Sequence, residues 1–253
     1  MAKDTGRRTY RSGTPKKTSF IREWAPFIIF ILILLFARIF LWSTARVDGN
    51  SMDPTLGDGQ RLIYLTKFTP KRFEIVIAKE NQAQSGSASG KVIVKRVIGM
   101  PGDTIKFDHD TLSIKAAGSS SFVDYSEPYL DNYKSLFASG KLANTYLNLP
   151  LRSDPNNLLD STTRQQWANL AKESKAFTTL ALPNYITAWT QANIKGSPGS
   201  PTFEYTVPSG QYFLMGDDRV VSSDSRSVGP FDRSQLLGHA VLRFWPLNKV
   251  SLF

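Results

Sequence analysis

The sequence predicts a mostly β protein: a single N-terminal transmembrane helix, then an extracytoplasmic β-rich domain interrupted by an inserted mixed lobe. Three observations carry this. A membrane-length apolar run occupies 24–42. Beyond it, short runs rich in Val, Ile, Tyr and Phe alternate with turn residues. Over 134–200 that texture gives way to helical and linker-like composition, and strands resume at 201–253. The expected boundaries are a basic tail at 1–23, the anchor at 24–42, a first β segment at 43–133, the lobe at 134–200 and a second β segment at 201–253.

The tail holds Lys3, Arg7, Arg8, Arg11, Lys16, Lys17 and Arg22 against Asp4 and Glu23. Basic residues on one flank of a hydrophobic segment keep that flank in the cytoplasm. The chain as a whole carries +10, which suits an anionic phospholipid surface; no nucleic-acid-binding motif accompanies the charge, so nucleic acid is not an expected partner. The anchor, "WAPFIIFILILLFARIFLW", is bracketed by Trp24 and Trp42 as aromatic belts are, and Pro26 suits a first helical turn. Arg38 can snorkel to the outer interface. A cleaved leader ending at "STA" (43–45) is the competing reading, but the run exceeds the roughly 7–15 residues of a leader's apolar region. A single-pass protein with its C-terminal bulk outside the cell membrane follows.

Strands are expected at 60–68, 73–79, 91–99, 103–107, 111–115, 203–217 and 238–247. "MPGD" (100–103) reads as a turn and "ENQAQSGSASG" (80–90) as a flexible hairpin loop. In the lobe, 162–177 has helical composition and 193–201 reads as a linker.

The chain has no cysteine and two histidines, which removes disulfides, zinc–thiolate sites and cysteine nucleophiles. "GNSMDPTL" (49–56) places Ser51 in a turn just beyond the apolar run. A serine hydroxyl needs a neighbour to take its proton. His109 and His239 lack a supporting context and read as ordinary histidines. Lys95 lies in "KVIVKRVIG", sharing a strand face with Ile93 and Val97. Either it is an exposed strand lysine, or it is desolvated, which lowers its pKa toward that of a usable base. In that case no carboxylate is expected against the amine. "GDDRVVSSDSR" (216–226) could supply Ser222 to orient the amine, with Asp224 and Arg226 paired to hold the loop; a plain polar surface loop is the alternative.

Together "GNSMDPTL", "KRVIGMPGD" and "GDDRVVSSDSR", in this order after an N-terminal anchor, resemble the bacterial type I signal peptidases, membrane-bound serine proteases that cleave signal peptides from exported proteins. The resemblance covers about 20–115 and 205–250. It implies Ser51 as nucleophile, Lys95 as general base, Ser222 as the orienting hydroxyl, and Asp224 and Arg226 as supports. It further implies an oxyanion donor in the Ser51 main-chain N–H, a cleft shaped by Met52, Pro54 and Leu56, and a strand at 92–94, with Val94, on which an extended Ala-X-Ala peptide pairs. Neither metal nor cofactor is implied. The expected partners are secretory preproteins, the membrane and the general secretion translocon. Gly49 stands where some members carry a serine, and Val220 and Val221 where many carry Asp and Asn. Phe68 and Trp245 are expected in the core rather than at the membrane interface. The rival functional reading is a membrane-anchored non-enzymatic β-module, an assembly chaperone or surface-binding domain.

Overall fold

The structure, a computed structural model, describes residues 20–108, 111–130, 193–197, 200–219 and 222–253. It divides into two compact units, Met1–Phe40 and Leu41–Phe253. The lobe's expected helix at 162–177, His109, Val220 and Val221 lie outside the described residues.

In the first unit, helix α1 spans Phe20–Phe40. Its Ile, Leu, Phe and Ala run contains no glycine to break it. The helix begins before Trp24, so Pro26 sits inside it rather than in its first turn; only one backbone hydrogen bond is forfeited there. Trp24, Phe27, Leu32 and Phe36 are among the large apolar side chains left exposed. Among the described residues no helix is long and apolar enough to cross a membrane.

The second unit is mostly β. The larger sheet is ordered β1-β2-β12-β3-β4-β10-β11, with β13 paired to β12. Its strands are β1 (Trp42–Arg46), β2 (Arg61–Leu65), β3 (Ile75–Lys79), β4 (Val92–Gly99), β10 (Gln211–Met215), β11 (Phe231–Asp232), β12 (Leu236–Trp245) and β13 (Ser251–Leu252). The second sheet runs β7-β6-β5-β9-β8. Its strands are β5 (Thr104–Asp108), β6 (Thr111–Lys115), β7 (Val123–Tyr125), β8 (Ile194–Ser197) and β9 (Ser200–Thr206). All pairings are antiparallel.

Period-two alternation explains why both faces of the larger sheet are buried. Ile75, Ile77 and Val94 point to one apolar cluster, with Met52, Leu56 and Leu62. Val76, Ala78 and Val97 point to another, with Leu214 and Phe231. A third cluster, including Ile98, Phe107, Phe203 and Phe213, joins the second sheet to the ends of β4 and β10.

Three local expectations change. Trp42, expected to end the anchor, opens β1 opposite Leu65; strand pairing takes over where the apolar run ends. The 80–90 loop holds a short helix, α2 (Gln82–Ser85), closed by a capping box between Asn81 and Gln84. Within 193–201, the expected linker, β8 forms a hairpin with β9, because backbone pairing overrides its Gly and Pro content.

Candidate active site

The turn that carries Ser51 is held from below and from the side. Val47 N–H donates to Gln60 O (2.8 Å), Leu56 N–H to Met52 O (2.9 Å) and Gly49 N–H to Asp58 Oδ1 (2.9 Å). Met52 and Leu56 have no exposed surface and pack with Val47, Leu62 and Val94. They anchor the turn in the core rather than lining the cleft, while the residue between Asn50 and Met52 remains half-buried and open to it. Among the described residues nothing accepts a hydrogen bond from the Ser51 main-chain N–H.

Strand β4 delivers the amine. Lys95 is opposite Val76 on β3 and is 3% exposed. Its Nζ lies 2.6 Å from Ser51 Oγ. Burial pushes the lysine down to about 8, against the upward pull of Asp224 and then Glu80; Arg226 and Lys91 add to the depression. Among the described residues no carboxylate is in contact with the amine, as expected; Asp224 and Glu80 act on it only from a distance, and desolvation outweighs both because the amine loses nearly all its water. An amine in this range can take a proton from a hydroxyl near neutral pH and return it, as a general base requires.

The third segment forms a tight hook after β10. Its short helix, α3 (Ser225–Val228), is capped by Asp224. The Asp224 carboxylate is completely buried and accepts from Gly216 N–H (3.0 Å), Arg226 N–H (3.1 Å), Arg226 Nε (2.8 Å) and Arg226 Nη2 (2.7 Å). Burial alone would raise its pKa; the Arg226 guanidinium, with Lys95 and Ser222 nearby, holds it at about 2. Gly216 is required by space: a Cβ there would collide with the Ser51 carbonyl oxygen and the Ser222 side chain. Asp218 N–H closes the junction on Ser51 O at 3.1 Å. Ser222 is buried, but its hydroxyl makes no hydrogen bond to Lys95; it lies close enough to Asp224 to favour the charged carboxylate.

Sequence reasoning missed the residues that bind the three segments together. Asp217 accepts from Arg96 Nε (2.8 Å) and from Arg96 Nη2, and from Thr55 Oγ1 (2.6 Å). One carboxylate therefore spans the serine turn, the lysine strand and the hook. Arg96 also donates to Phe73 O (2.7 Å) and lies 3.9 Å from the centre of the Tyr129 ring. Arg219, fully buried, donates to Gly216 O (3.0 Å), to both Glu127 oxygens and to Tyr129 Oη (3.3 Å). The available signal was charge in the wrong place: Arg96 and Arg219 lie among residues that a strand and its following turn would bury, and buried guanidinium groups demand carboxylates.

A cleft of about 360 Å³ opens beside Ser51 and Lys95. Val92, Ile93 and Val94 form one wall, Ala45 to Asn50 another, and Glu80, Gln84, Ser85 and Lys91 sit along it. Val94 is thus among the residues that line the cleft. Within β4, β10 pairs only with Arg96 to Gly99, whereas β3 pairs along Val92 to Arg96. Among the described residues the second edge of 92–95 is unpaired. Among the described residues no cluster of His, Asp or Glu side chains could hold a metal ion.

The profile of the family described as "Signal peptidase, peptidase S26" matches residues 21–245. A signal peptidase I of Streptococcus pneumoniae (strain ATCC BAA-255 / R6) is 38% identical over 235 residues, covering 93% of this chain and 98% of its own. A signal peptidase I of Bacillus licheniformis is 31% identical over 251 residues, covering 96% and 97%. A crystal structure of a signal peptidase I from Enterococcus faecalis V583 covers 68% of this chain and 97% of its own, at 23% identity and a TM-score of 0.34.

Proposed function

The chain belongs to the signal peptidase, peptidase S26, family and is an enzyme that removes signal peptides; on that premise we propose that Ser51 is its nucleophile and Lys95 its general base. The single observation that carries this is the 2.6 Å contact between the buried amine and the serine hydroxyl. Neutral Lys95 takes the Ser51 proton as Oγ bonds to the scissile carbonyl carbon. The ammonium then returns that proton to the departing amine, leaving an acyl-enzyme that water hydrolyses with Lys95 again as base. The Ser51 N–H supports the developing oxyanion. Asp224 and Arg226 hold the hook, and Ser222 turns toward the amine once substrate displaces water from the cleft.

An extended peptide laid along the open edge of 92–95 alternates its side chains. The residues one and three before the cut then face the cleft wall formed by Val92 to Val94 together, and an Ala-X-Ala preference follows from small side chains at both positions. Met52 and Leu56 act on specificity from beneath, by fixing that wall. The substrates are secretory preproteins, reached at the outer face of the cell membrane with the general secretion translocon nearby. The apolar part of α1, from Trp24 to Phe40, anchors the enzyme there with its N-terminus cytoplasmic: the apolar side chains that α1 exposes call for a non-aqueous environment. On the second unit, Trp245, Leu247, Val250 and Leu252 are also exposed and suit the membrane interface. Phe68, by contrast, packs against His239 and under Arg233.

The test is cleavage of a preprotein by full-length Ser51→Ala and Lys95→Ala in detergent. Both should lose activity by at least about 1,000-fold while their melting transitions stay cooperative. Substantial turnover by either variant would remove the dyad, and absence of Ala-X-Ala hydrolysis by the unsubstituted chain would favour a non-enzymatic β-module.

A further inference from the structure

Glu80 is an acidic residue of low exposure in the cleft beside Ser51 and Lys95, and it belongs to none of the three motifs. It follows directly on β3, is 6% exposed and lines the same cleft as Ser51 and Lys95. Its main chain is fixed: Glu80 N–H donates to Lys91 O at 2.8 Å. Gly90, at a φ of +68°, lies so near that a Cβ there would collide with the Glu80 carbonyl oxygen. The short helix α2 closes over this stretch, with Gln84 donating to Pro230 O (3.1 Å) and accepting from Gln235 Nε2 (2.7 Å). The loop is therefore a built wall that holds a carboxylate at a set position. Among the described residues no donor is hydrogen-bonded to that carboxylate. Its oxygens are not among the buried atoms left without a partner, so they open onto the cleft and present their charge there.

We propose that Glu80 is an electrostatic positioning residue for Lys95, fixed on the cleft wall to stabilise the ammonium that forms when the amine takes the Ser51 proton. This deepens the Ser51–Lys95 reading and rests on it. The charged groups bearing on Lys95 come from three sides: Asp224 and Arg226 from the hook, Glu80 and Lys91 from the two ends of the 80–91 loop, with the neutral Ser51 hydroxyl in front. Asp224 is already committed to Arg226 through two guanidinium bonds. Glu80 has no such partner, so its charge is the less compensated of the two. Burial raises the Glu80 carboxyl, while Lys95 and then Lys91 draw it back down. Burial by itself would make Lys95 too weak a base; a nearby anion restores basicity, and the effect grows when substrate excludes water.

The experiment is the pH dependence of kcat/KM for the full-length enzyme in detergent, on a preprotein substrate, with Glu80→Gln. Gln preserves the shape and breaks no hydrogen bond. The acidic limb should move down by roughly 0.5–1 pH unit and the plateau should fall by about 3- to 30-fold, because a less basic amine is deprotonated earlier but accepts the serine proton less well. Glu80→Asp keeps the charge but withdraws it by one methylene, so its limb should move the same way by a smaller amount; it serves alone if E80Q does not fold. A reduced rate with the limb unmoved in the folded variants would make Glu80 a packing residue and overturn the proposal while leaving the dyad intact. Activity retained by K95A would overturn both together.

Discussion

At the scale of single residues, the site is a contest between desolvation and charge. Lys95 and Asp224 are both buried, yet their pKa values move for different reasons. The amine has no hydrogen-bonded counter-ion and yields to burial; the carboxylate has four N–H donors, three of them from Arg226, and resists it. For Lys95, kcat/KM should rise about tenfold per pH unit on the acid side and level off near pH 8, as read from initial rates across pH. The same shift has a stability sign. Between about 8 and 10.5 the unfolded chain holds a proton on this lysine that the folded chain has released. Stability therefore rises with pH through that window, and below it the lysine costs on the order of 3 kcal/mol relative to an unperturbed one. Lys95→Met should accordingly be inactive yet more stable at pH 7, by about 1–3 kcal/mol in urea unfolding. A loss of stability there would mean that the amine is better compensated than its burial implies. For Asp224 the sign is opposite: its contribution is present above the ordinary carboxyl range and is lost as pH falls toward about 2.

At the scale of elements, β4 organises the enzyme. Its alternation sends Val94 to one cluster and Val97 to the other, while Lys95 and Arg96 turn to opposite sides. Among the described residues its first half is paired on one edge, by β3, Arg96 is paired on both, and its last residues pair with β10. These features were legible as a period-two apolar pattern with two basic residues at its centre. The hook was legible only as a polar run, because what fixes it is contact with the serine turn. Gly216 is the tightest of those contacts. Gly216→Ala would push against the Ser51 carbonyl and displace Ser51, the proposed nucleophile. Cleavage should fall by at least about 100-fold with secondary structure retained by circular dichroism. Near-normal turnover would show that the hook can retreat without moving the serine.

At the scale of the whole molecule, Ser51, Lys95 and the hook are distant in sequence and meet because Asp217, Thr55 and Arg96 join them across two strands and a turn. The first 40 residues form one compact unit and Leu41–Phe253 another. A chain starting at Leu41 should therefore fold and hydrolyse a soluble Ala-X-Ala peptide within a few-fold of full length. It should cleave a vesicle-embedded preprotein about 100-fold more slowly, since anchoring raises effective concentration. Equal rates on the vesicle substrate would remove the proposed role of the anchor. By itself the sequence determined what depends on local pattern. It marked the apolar run, five of the eight strands of the larger sheet through their alternation (β2, β3, β4, β10 and β12), and Ser51, Lys95, Asp224 and Arg226 through their motifs. Only the tertiary structure decided that Met52 and Leu56 lie beneath the cleft, that Asp217 rather than Asp224 ties the segments together, and that Glu80 enters the site. Burial, and the partner that a buried charge finds, are set by residues far away in the chain, and local periodicity carries no information about them.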